Sequence, residues 1–433
     1  MSTSERRAHG AGAGRTTASA PTGATAATPP TTTTTAPPGA TRMLVLATVG
    51  FLVNFWAWAL ISPLGSAYRD RLDLTGFQQS VLVAVPVIVG SLGRIPVGAL
   101  TDRIGARVMF PVVSLLTVLP VLFIGLVAES FASLIVGGFF LGLGGTTFAI
   151  GVPLVNAWYP PARRGTALGL FGIGMGGTAI SAFTTVRLTD NLGAEAPFLI
   201  VAGVLVLYAA VAAALLRDAP DRTLPQGSFL ARTWATAKLP ATGQLSFLYA
   251  VGFGGFVAFS VYLPTYLGNA FDLSPEDAAF RTAGFVVLAV AMRPVGGALS
   301  DRIGPIPVLV ASFVGIAVLA ALAALELPLM PIGTIAFLGL AALLGASSGA
   351  TFAVVGRLAP PEKVGAVTGL VGAAGGLGGF VPPLVMGAFY DRLGDYSLGL
   401  ALLAVVSLGA ALFTRGPVAR SARADAQGEP HRT

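Results

Sequence analysis

Twelve long apolar stretches divide this chain, and short polar segments separate them. An α-helix needs about 20 mainly apolar residues to cross the hydrocarbon core of a bilayer, and each stretch is close to that length. The pattern therefore predicts an all-α membrane protein with twelve transmembrane helices. The stretches lie at residues 43–63, 78–100, 107–128, 131–157, 165–188, 196–216, 242–268, 281–299, 305–325, 331–355, 365–389 and 396–414.

The second half of the chain repeats the motifs of the first half in the same order. Residues 94–105 read RIPVGALTDRIG, and residues 293–304 read RPVGGALSDRIG. This duplication predicts two pseudo-symmetric six-helix halves, and transporters built in this way bind substrate at the interface between the halves. We divide the chain into a disordered tail (1–41), a first half (42–216), a linker (217–241), a second half (242–414) and a second tail (415–433).

The basic residues predict the orientation of the chain. Most of the 26 lysines and arginines fall on one side of the predicted spans, in the two tails, the linker and alternate loops. The positive-inside rule then places both termini in the cytoplasm. The excess of arginine over lysine suggests a GC-rich genome, and hence a multi-pass protein of a bacterial plasma membrane. The predicted outer side holds only Arg69, Arg71, Arg187, Arg281 and Arg392.

Several kinds of chemistry have no residues to support them. The chain has no cysteine, and its two histidines, His9 and His431, lie in the tails. The predicted spans contain no aspartate, glutamate, lysine or histidine. We therefore expect no cofactor, no metal site and no enzymatic activity, since acid–base and metal chemistry need such groups. We also expect no nucleic-acid binding, because the positive charges lie in short loops rather than in one patch.

Two arginines lie inside the apolar stretches, at matching positions of the repeat. Arg94 and Arg293 each stand eight residues before an aspartate, Asp102 or Asp301, which places them about 12 Å deeper along a helix. A charge at the centre of a membrane costs at least about 2.5–3.5 kcal/mol. An anionic substrate held by both guanidinium groups would offset that cost, since a planar oxyanion accepts paired hydrogen bonds. The alternative is two structural arginines that bond helix carbonyls.

The repeated loop motif resembles a motif of major facilitator transporters. The pattern G-x3-D-R-x-G follows the second predicted span and the eighth, as it does in that superfamily. The resemblance implies that these charged residues latch the cytoplasmic side of the protein, although they could also form ordinary interfacial ion pairs. The predicted latch consists of Asp102, Arg103, Asp301 and Arg302.

Two glycine-rich segments carry a more specific resemblance. Residues 165–178, GTALGLFGIGMGGT, and residues 365–383, GAVTGLVGAAGGLGGFVPP, are similar to the two signatures of the nitrate/nitrite porter family. The resemblance extends over about residues 43–414. It departs from the family pattern at Met175, where an asparagine is usual. Glycine permits close helix crossing and exposes backbone to a ligand. The candidate substrate-contacting positions are Gly172, Gly174, Met175, Gly372, Gly375 and Gly376.

This resemblance implies roles for further residues. It maps Arg94 and Arg293 onto the family's paired substrate arginines. It also identifies Phe148, in GGTTFAIG, and Phe259, in GGFVAFSVY, with the two aromatic residues that sandwich the anion. Polar or amphipathic residues of the first and seventh spans could line a cavity beside them. These residues are Asn54, Trp58, Ser260 and Tyr262.

The sequence thus predicts a monomeric secondary transporter in the lipid bilayer that carries nitrate, nitrite or both by alternating access. The lack of proton-carrying groups in the spans favours exchange of one anion for another. Two alternatives stay open. The first is a facilitator transporter of an organic anion or a drug, which the departure at Met175 keeps open. The second is a membrane sensor or scaffold, although the short loops leave no room for a signalling domain.

Overall fold

The computed structural model describes residues 37–220, 229–359 and 364–426. Within these ranges the regular elements are helices, and twelve of them are long and apolar enough to cross a membrane. The predicted twelve-span architecture is confirmed. Several spans extend beyond their predicted ends; the first, for example, runs from Ala40 to Leu72. The predicted stretch ends at residue 63 because the final turns of this span carry the charged residues Arg69, Asp70 and Arg71, which interrupt the apolar run.

The spans are numbered 1 to 12 along the chain, and five of them are unbroken α-helices. The unbroken spans are 3 (Ala106–Leu126), 6 (Ala196–Leu215), 7 (Pro240–Phe271), 8 (Pro275–Ile303) and 9 (Pro305–Ala323). The interrupted spans are 1 (Ala40–Trp58 and Gly65–Leu72), 2 (Gly76–Leu92 and Arg94–Ile104), 4 (Phe131–Leu141 and Phe148–Trp158), 5 (Pro161–Phe171 and Gly177–Leu192), 10 (Leu329–Gly333 and Thr334–Leu358), 11 (Val364–Gly378 and Val381–Leu393) and 12 (Ser397–Phe413 and Ala419–Ala426).

Glycine-rich interruptions lie midway along three spans of the first half. Span 2 breaks at Gly93, span 4 contains a 3₁₀ segment at Gly142–Thr147, and span 5 contains another at Gly172–Gly176. These glycines permit close crossings, as expected where helices pack in lipid through small residues. At Gly177, for instance, an added Cβ would overlap the carbonyl oxygen of Leu52 in span 1.

Large apolar side chains cover the outer surface of the bundle. Leu119, Leu207 and Val405 are each exposed by about two-thirds, at 65%, 65% and 66%. In water such a surface would be an aggregation hazard, but lipid chains match it at no cost. The backbone polar groups meanwhile bond within the helices, which is the condition for spanning a hydrocarbon layer.

The bundle has two ends. We call the end where the first span begins the termini face; it holds the span ends at Ala40, Ile104 and Ile303. We call the other end the opposite face; it holds Leu72 and Gly76 with the span ends that adjoin them. Twelve crossings return the chain to the face where it began. The predicted linker contains a short helix at Phe229–Ala237, while residues 221–228 lie outside the described part. The predicted tail at 1–41 lies almost wholly outside it as well.

The two halves are joined at the opposite face by bonds at two corners. At one corner the Asp391 carboxylate at the end of span 11 accepts hydrogen bonds from the backbone N–H groups of Gly76 and Phe77, both at 2.7 Å, where span 2 begins. At the other corner Arg187 of span 5 pairs with Glu276 of span 8 at 3.0 Å. Spans 2 and 8 are repeats of each other, as are spans 5 and 11, so the corners are pseudo-equivalent.

Buried polar bonds extend this closure inward. Ser80 of span 2 donates to the hydroxyl of Tyr262 at 3.1 Å, and Gln79 donates to Thr265 at 3.3 Å. Ser62 of span 1 donates to the backbone carbonyl of residue 261 at 2.6 Å. The opposite face is therefore closed by bonds that run from its surface into the membrane interior.

Candidate substrate site

The two membrane arginines occupy equivalent depths in spans 2 and 8. Arg94 stands ten residues before Ile104, and Arg293 stands ten residues before Ile303. At 1.5 Å per residue both lie about 15 Å from the termini face, close to the middle of a bilayer. Their surroundings differ, because Arg94 begins a new helix after the break at Gly93, whereas Arg293 belongs to one continuous helix.

Arg94 is buried and bonded to backbone oxygens. Its side chain is only 7% exposed. Its Nη1 donates to the carbonyl of Gly372 in span 11 at 2.6 Å, and its Nε donates to the carbonyl of Gly145 at 3.3 Å. The guanidinium carbon lies 5.2 Å from the ring centroid of Phe148 and 5.9 Å from that of Phe253. Both rings are within the range of cation–π attraction.

Arg293 is half-buried and bonded to two side chains. Its Nη1 donates to the sulfur of Met175 at 2.9 Å, and its Nη2 donates to the hydroxyl of Tyr249 at 3.0 Å. Its guanidinium carbon lies 5.3 Å from the same Phe253 ring that Arg94 approaches. Tyr249 and Phe253 stack with their centroids 4.7 Å apart, so one aromatic wall on span 7 lies against both guanidinium groups.

The arginine contacts cross between the halves. Arg94 of the first half reaches the glycine-rich helix of span 11, and Arg293 of the second half reaches the glycine-rich segment of span 5. Neither guanidinium forms an ion pair with a side chain of the described ranges. Two positive charges thus flank the Phe253 ring with neutral acceptors only. This arrangement favours a small anion, since opposite charge between the two groups would relieve their repulsion.

Several predicted site residues come together as expected. Phe148 lies against Arg94, Met175 against Arg293, and Gly372 supplies a carbonyl to Arg94. An added Cβ on Gly372 would stand 3.1 Å from the Phe148 ring. The close contacts at this position explain why a glycine suits it.

The other predicted glycines pack elsewhere. Gly375 lies against the Tyr249 ring, and Gly376 lies against Ser91. Gly174 packs on Phe51 of span 1, with 2.6 Å between an added Cβ and the ring, and Gly172 faces open space. Gly174, Gly375 and Gly376 therefore allow close packing around the arginines, whereas Gly172 has no such role.

Phe259 does not join the arginines. Its ring packs against Phe285 and Phe337, with centroids 5.4 and 6.1 Å away. Phe253 takes the position over both guanidinium groups instead. The two phenylalanines are six residues apart, which turns the side chain by about 240° around a helix and onto another face. The four-residue spacing of Tyr249 and Phe253, which places them on one face, was the sequence signal that could have identified this wall.

The four polar residues that were predicted to line a cavity form hydrogen bonds to partners other than the two arginines. The Asn54 amide donates to Ser114 at 2.8 Å, and Trp58 donates to the carbonyl of Pro86 at 3.2 Å. Ser260 donates to a carbonyl one turn earlier in its helix at 2.8 Å. Tyr262 belongs to the closure of the opposite face described above.

The residues of the predicted latch lie at the termini face, in the last turns of spans 2 and 8. Asp102 is half-buried, whereas its three companions are exposed. The exposed residues are Arg103, Asp301 and Arg302. Their role as a latch stays a prediction.

Comparison with known proteins identifies the class first. A bundle of twelve spans in two repeated halves, with cationic side chains where the halves meet, is typical of a secondary transporter. The family model of the Major Facilitator Superfamily matches residues 47–274 and 245–432. The chain belongs to this superfamily and, within it, to the nitrate/nitrite porter family. It is a membrane transporter and not an enzyme.

Two curated relatives show how close the similarity is. The probable nitrate/nitrite transporter NarK2 of Mycobacterium tuberculosis (strain ATCC 25618 / H37Rv) is 50% identical over 391 residues, which cover 89% of this chain and 99% of that protein. The nitrite extrusion protein of Bacillus subtilis (strain 168) is 35% identical over 368 residues, covering 84% of this chain and 91% of the relative.

A solved structure shows the same fold at low sequence identity. It is the crystal structure of a bacterial homologue of the human lysosomal transporter Spinster, in an inward-facing and occupied conformation. It superposes with a TM-score of 0.70 at 18% identity and covers 90% of this chain and 99% of its own.

Proposed function

We propose that this protein carries nitrate, nitrite or both across a bacterial plasma membrane by alternating access. The observation that carries the proposal is the pair Arg94 and Arg293, which flank one aromatic ring at mid-membrane depth. The names of the similar proteins from Mycobacterium tuberculosis and Bacillus subtilis point to the same anions. We further propose that it acts as a monomer with both termini in the cytoplasm, as the positive-inside rule indicates.

The roles of the site residues follow from their chemistry. The two guanidinium groups donate paired hydrogen bonds to the oxygens of the anion from opposite halves. Phe148 and Phe253 provide apolar walls that exclude a hydrated ion. Tyr249 orients Arg293 through its hydroxyl. Binding from both halves at once is what allows the anion to influence the conformation of the whole protein.

The alternating step requires the corners of the opposite face to open. The bonds of Asp391 to the start of span 2, and the pair of Arg187 with Glu276, would break as that face opens to the outside. Closure of the termini face would then rest on Asp102, Arg103, Asp301 and Arg302.

Exchange is the proposed transport mode. The predicted apolar spans hold no carboxylate or imidazole that could carry a proton beside the anion. The loaded site is closer to neutral than the unloaded one, so the conformational change costs less free energy when the anion is bound. Nitrate entering would therefore be balanced mainly by nitrite leaving.

Proteoliposomes loaded with nitrite test this proposal. External nitrate is added with and without a pH gradient, and released nitrite is measured by a colour reaction. We expect release that depends on external nitrate, ignores the gradient and falls at least about tenfold in Arg94→Lys and Arg293→Lys, because a point charge cannot form a planar fork. Arg71→Lys is the control, since Arg71 lies at the opposite face against Tyr68.

The outcomes separate the alternatives. Wild-type activity in both site variants would refute the arginine pair. Uptake of labelled nitrate into vesicles without nitrite, driven by the pH gradient, would establish proton coupling in place of exchange. Release of internal anion that requires external dicarboxylate and does not respond to external nitrate would favour the organic-anion alternative.

A further inference from the structure

Met175 supplies an unusual partner for a half-buried membrane arginine, a neutral thioether from the opposite half. We propose that Met175 is a positioning residue that holds Arg293 while no anion is bound and so lets the unloaded carrier change conformation. This inference rests on the proposed anion transport. It assigns a role to the one position where the chain departs from the porter signature, and it modifies the expectation of strict exchange.

The geometry of the contact favours such a role. The sulfur lies 2.9 Å from Nη1 of Arg293, and Met175 is only 1% exposed. The backbone that carries it is the 3₁₀ segment Gly172–Gly176, which is fixed on span 1 by Gly174 against Phe51. The backbone is thus held in place, while the unbranched side chain keeps the freedom to withdraw from the guanidinium.

The chemistry of sulfur makes the contact replaceable. A thioether is a weak hydrogen-bond acceptor, whereas an oxyanion forms shorter and stronger charge-assisted bonds with a guanidinium. An anion that reaches Nη1 of Arg293 therefore displaces the sulfur readily. A carboxylate in its place would neutralise Arg293 permanently and compete with the substrate.

Without an acceptor, Nη1 of the half-buried Arg293 would be left unpaired at mid-membrane depth, while Nη2 would keep its bond to Tyr249. Removing one partner of a buried charge is costly because the charge stays behind. Arg94 has a counterpart acceptor, the Gly372 carbonyl, which is backbone and independent of side-chain identity. Of the two acceptors, the Met175 sulfur and the Gly372 carbonyl, only the sulfur depends on the identity of a side chain. Met175 therefore sets how easily the unloaded carrier changes conformation.

Two fluxes separate this role from simple packing. Nitrite-loaded proteoliposomes are diluted either into nitrate, which measures exchange, or into gluconate with potassium and valinomycin, which measures net efflux. Protein-free vesicles give the leak through lipid. Exchange uses the loaded carrier in both directions, whereas net efflux requires the unloaded carrier to return. The ratio of net efflux to exchange therefore reports the unloaded step, independently of the amount of folded protein.

The variants change the acceptor at nearly constant size. Met175→Leu removes the sulfur, and Met175→Gln restores an acceptor oxygen. We expect the ratio of net efflux to exchange to fall about tenfold in Met175→Leu and to recover in Met175→Gln, as expected for one hydrogen bond to a charged group. The KM for external nitrate should also fall in Met175→Leu, because the competing acceptor is gone. Met109→Leu, at a buried methionine of span 3, is the matched control.

The inference is overturned if Met175→Leu keeps the wild-type ratio, or if Met109→Leu changes it equally. Met175→Ala is a second acceptor-free variant, so the result does not depend on one protein folding. Failure of the proposed function has a different signature. Wild-type vesicles would then release no nitrite into either medium, and the role of Met175 would fall with it.

Discussion

The bond between Asp391 and the start of span 2 makes the stability of the closed opposite face measurable. The carboxylate accepts two N–H groups at 2.7 Å at a helix N-terminus. Asp391→Asn keeps one acceptor oxygen but loses the charge and the second bond. Hydrogen bonds to charged groups contribute about 1.5–3 kcal/mol, and a helix N-terminus adds about 0.3–1 kcal/mol for a negative charge. Because Asp391 is exposed, solvent screening reduces the expected loss to about 1–2 kcal/mol.

That loss should shift the equilibrium toward opening of this face by about fivefold to thirtyfold. The chain has no native cysteine, so a single introduced thiol reports the change cleanly. Thr265→Cys places the thiol beneath the closed face, where Thr265 is 2% exposed. The substitution removes the acceptor of Gln79, but it is present in every variant compared, so this loss cancels. The rate of maleimide labelling in lipid nanodiscs should rise by the same factor when Asp391→Asn is added.

The control for this experiment is Asp395→Asn. Asp395 lies nearby but bonds Ser397 within its own half, with 3.0 Å to the backbone nitrogen. It should leave the labelling rate of Thr265→Cys unchanged. An unchanged rate in Asp391→Asn, or an equal increase in both variants, would refute the idea that this corner holds the halves together.

Three further predictions concern the site, the second corner and the crossings. Phe253→Ala should raise the KM for nitrate at least about tenfold through loss of a shared cation–π wall, whereas Phe259→Ala should lower thermal stability and leave the KM unchanged. Glu276→Gln should increase labelling beneath the opposite face, and its effect should add to that of the first corner, since the bonds share no residue. Gly177→Ala should reduce the yield of folded protein, as measured by size-exclusion profile, whereas Gly176→Ala, with open space around it, should not.

The sequence predicted the features that depend on local order. Apolar runs of sufficient length define spans whatever their neighbours are, so all twelve were predicted. The depth of Arg94 and Arg293 followed from their spacing along a helix. The resemblance to the porter family also indicated Phe148, which lies against Arg94.

Features that depend on which helix faces meet could not be predicted in the same way. The acceptors of Arg94 include a backbone carbonyl 278 residues away, which no side-chain pattern reveals. The bond of Asp391 to Gly76 joins positions 315 residues apart. Phe259 was predicted from its place in a motif. In the structure, the arginines lie against a different face of span 7, which carries Tyr249 and Phe253.

The 3₁₀ segments of spans 4 and 5 give the first half a reserve of helix length. A 3₁₀ turn rises about 2.0 Å per residue and an α-helix about 1.5 Å, so converting the six residues of Gly142–Thr147 would shorten span 4 by about 3 Å. Phe148 adjoins the segment of span 4, and Met175 lies in the segment of span 5. The partner of Met175, Arg293, belongs to a continuous helix of 29 residues. The first half can therefore move Phe148 by about 3 Å relative to the far end of span 4, roughly the width of a small anion, without unfolding a helix.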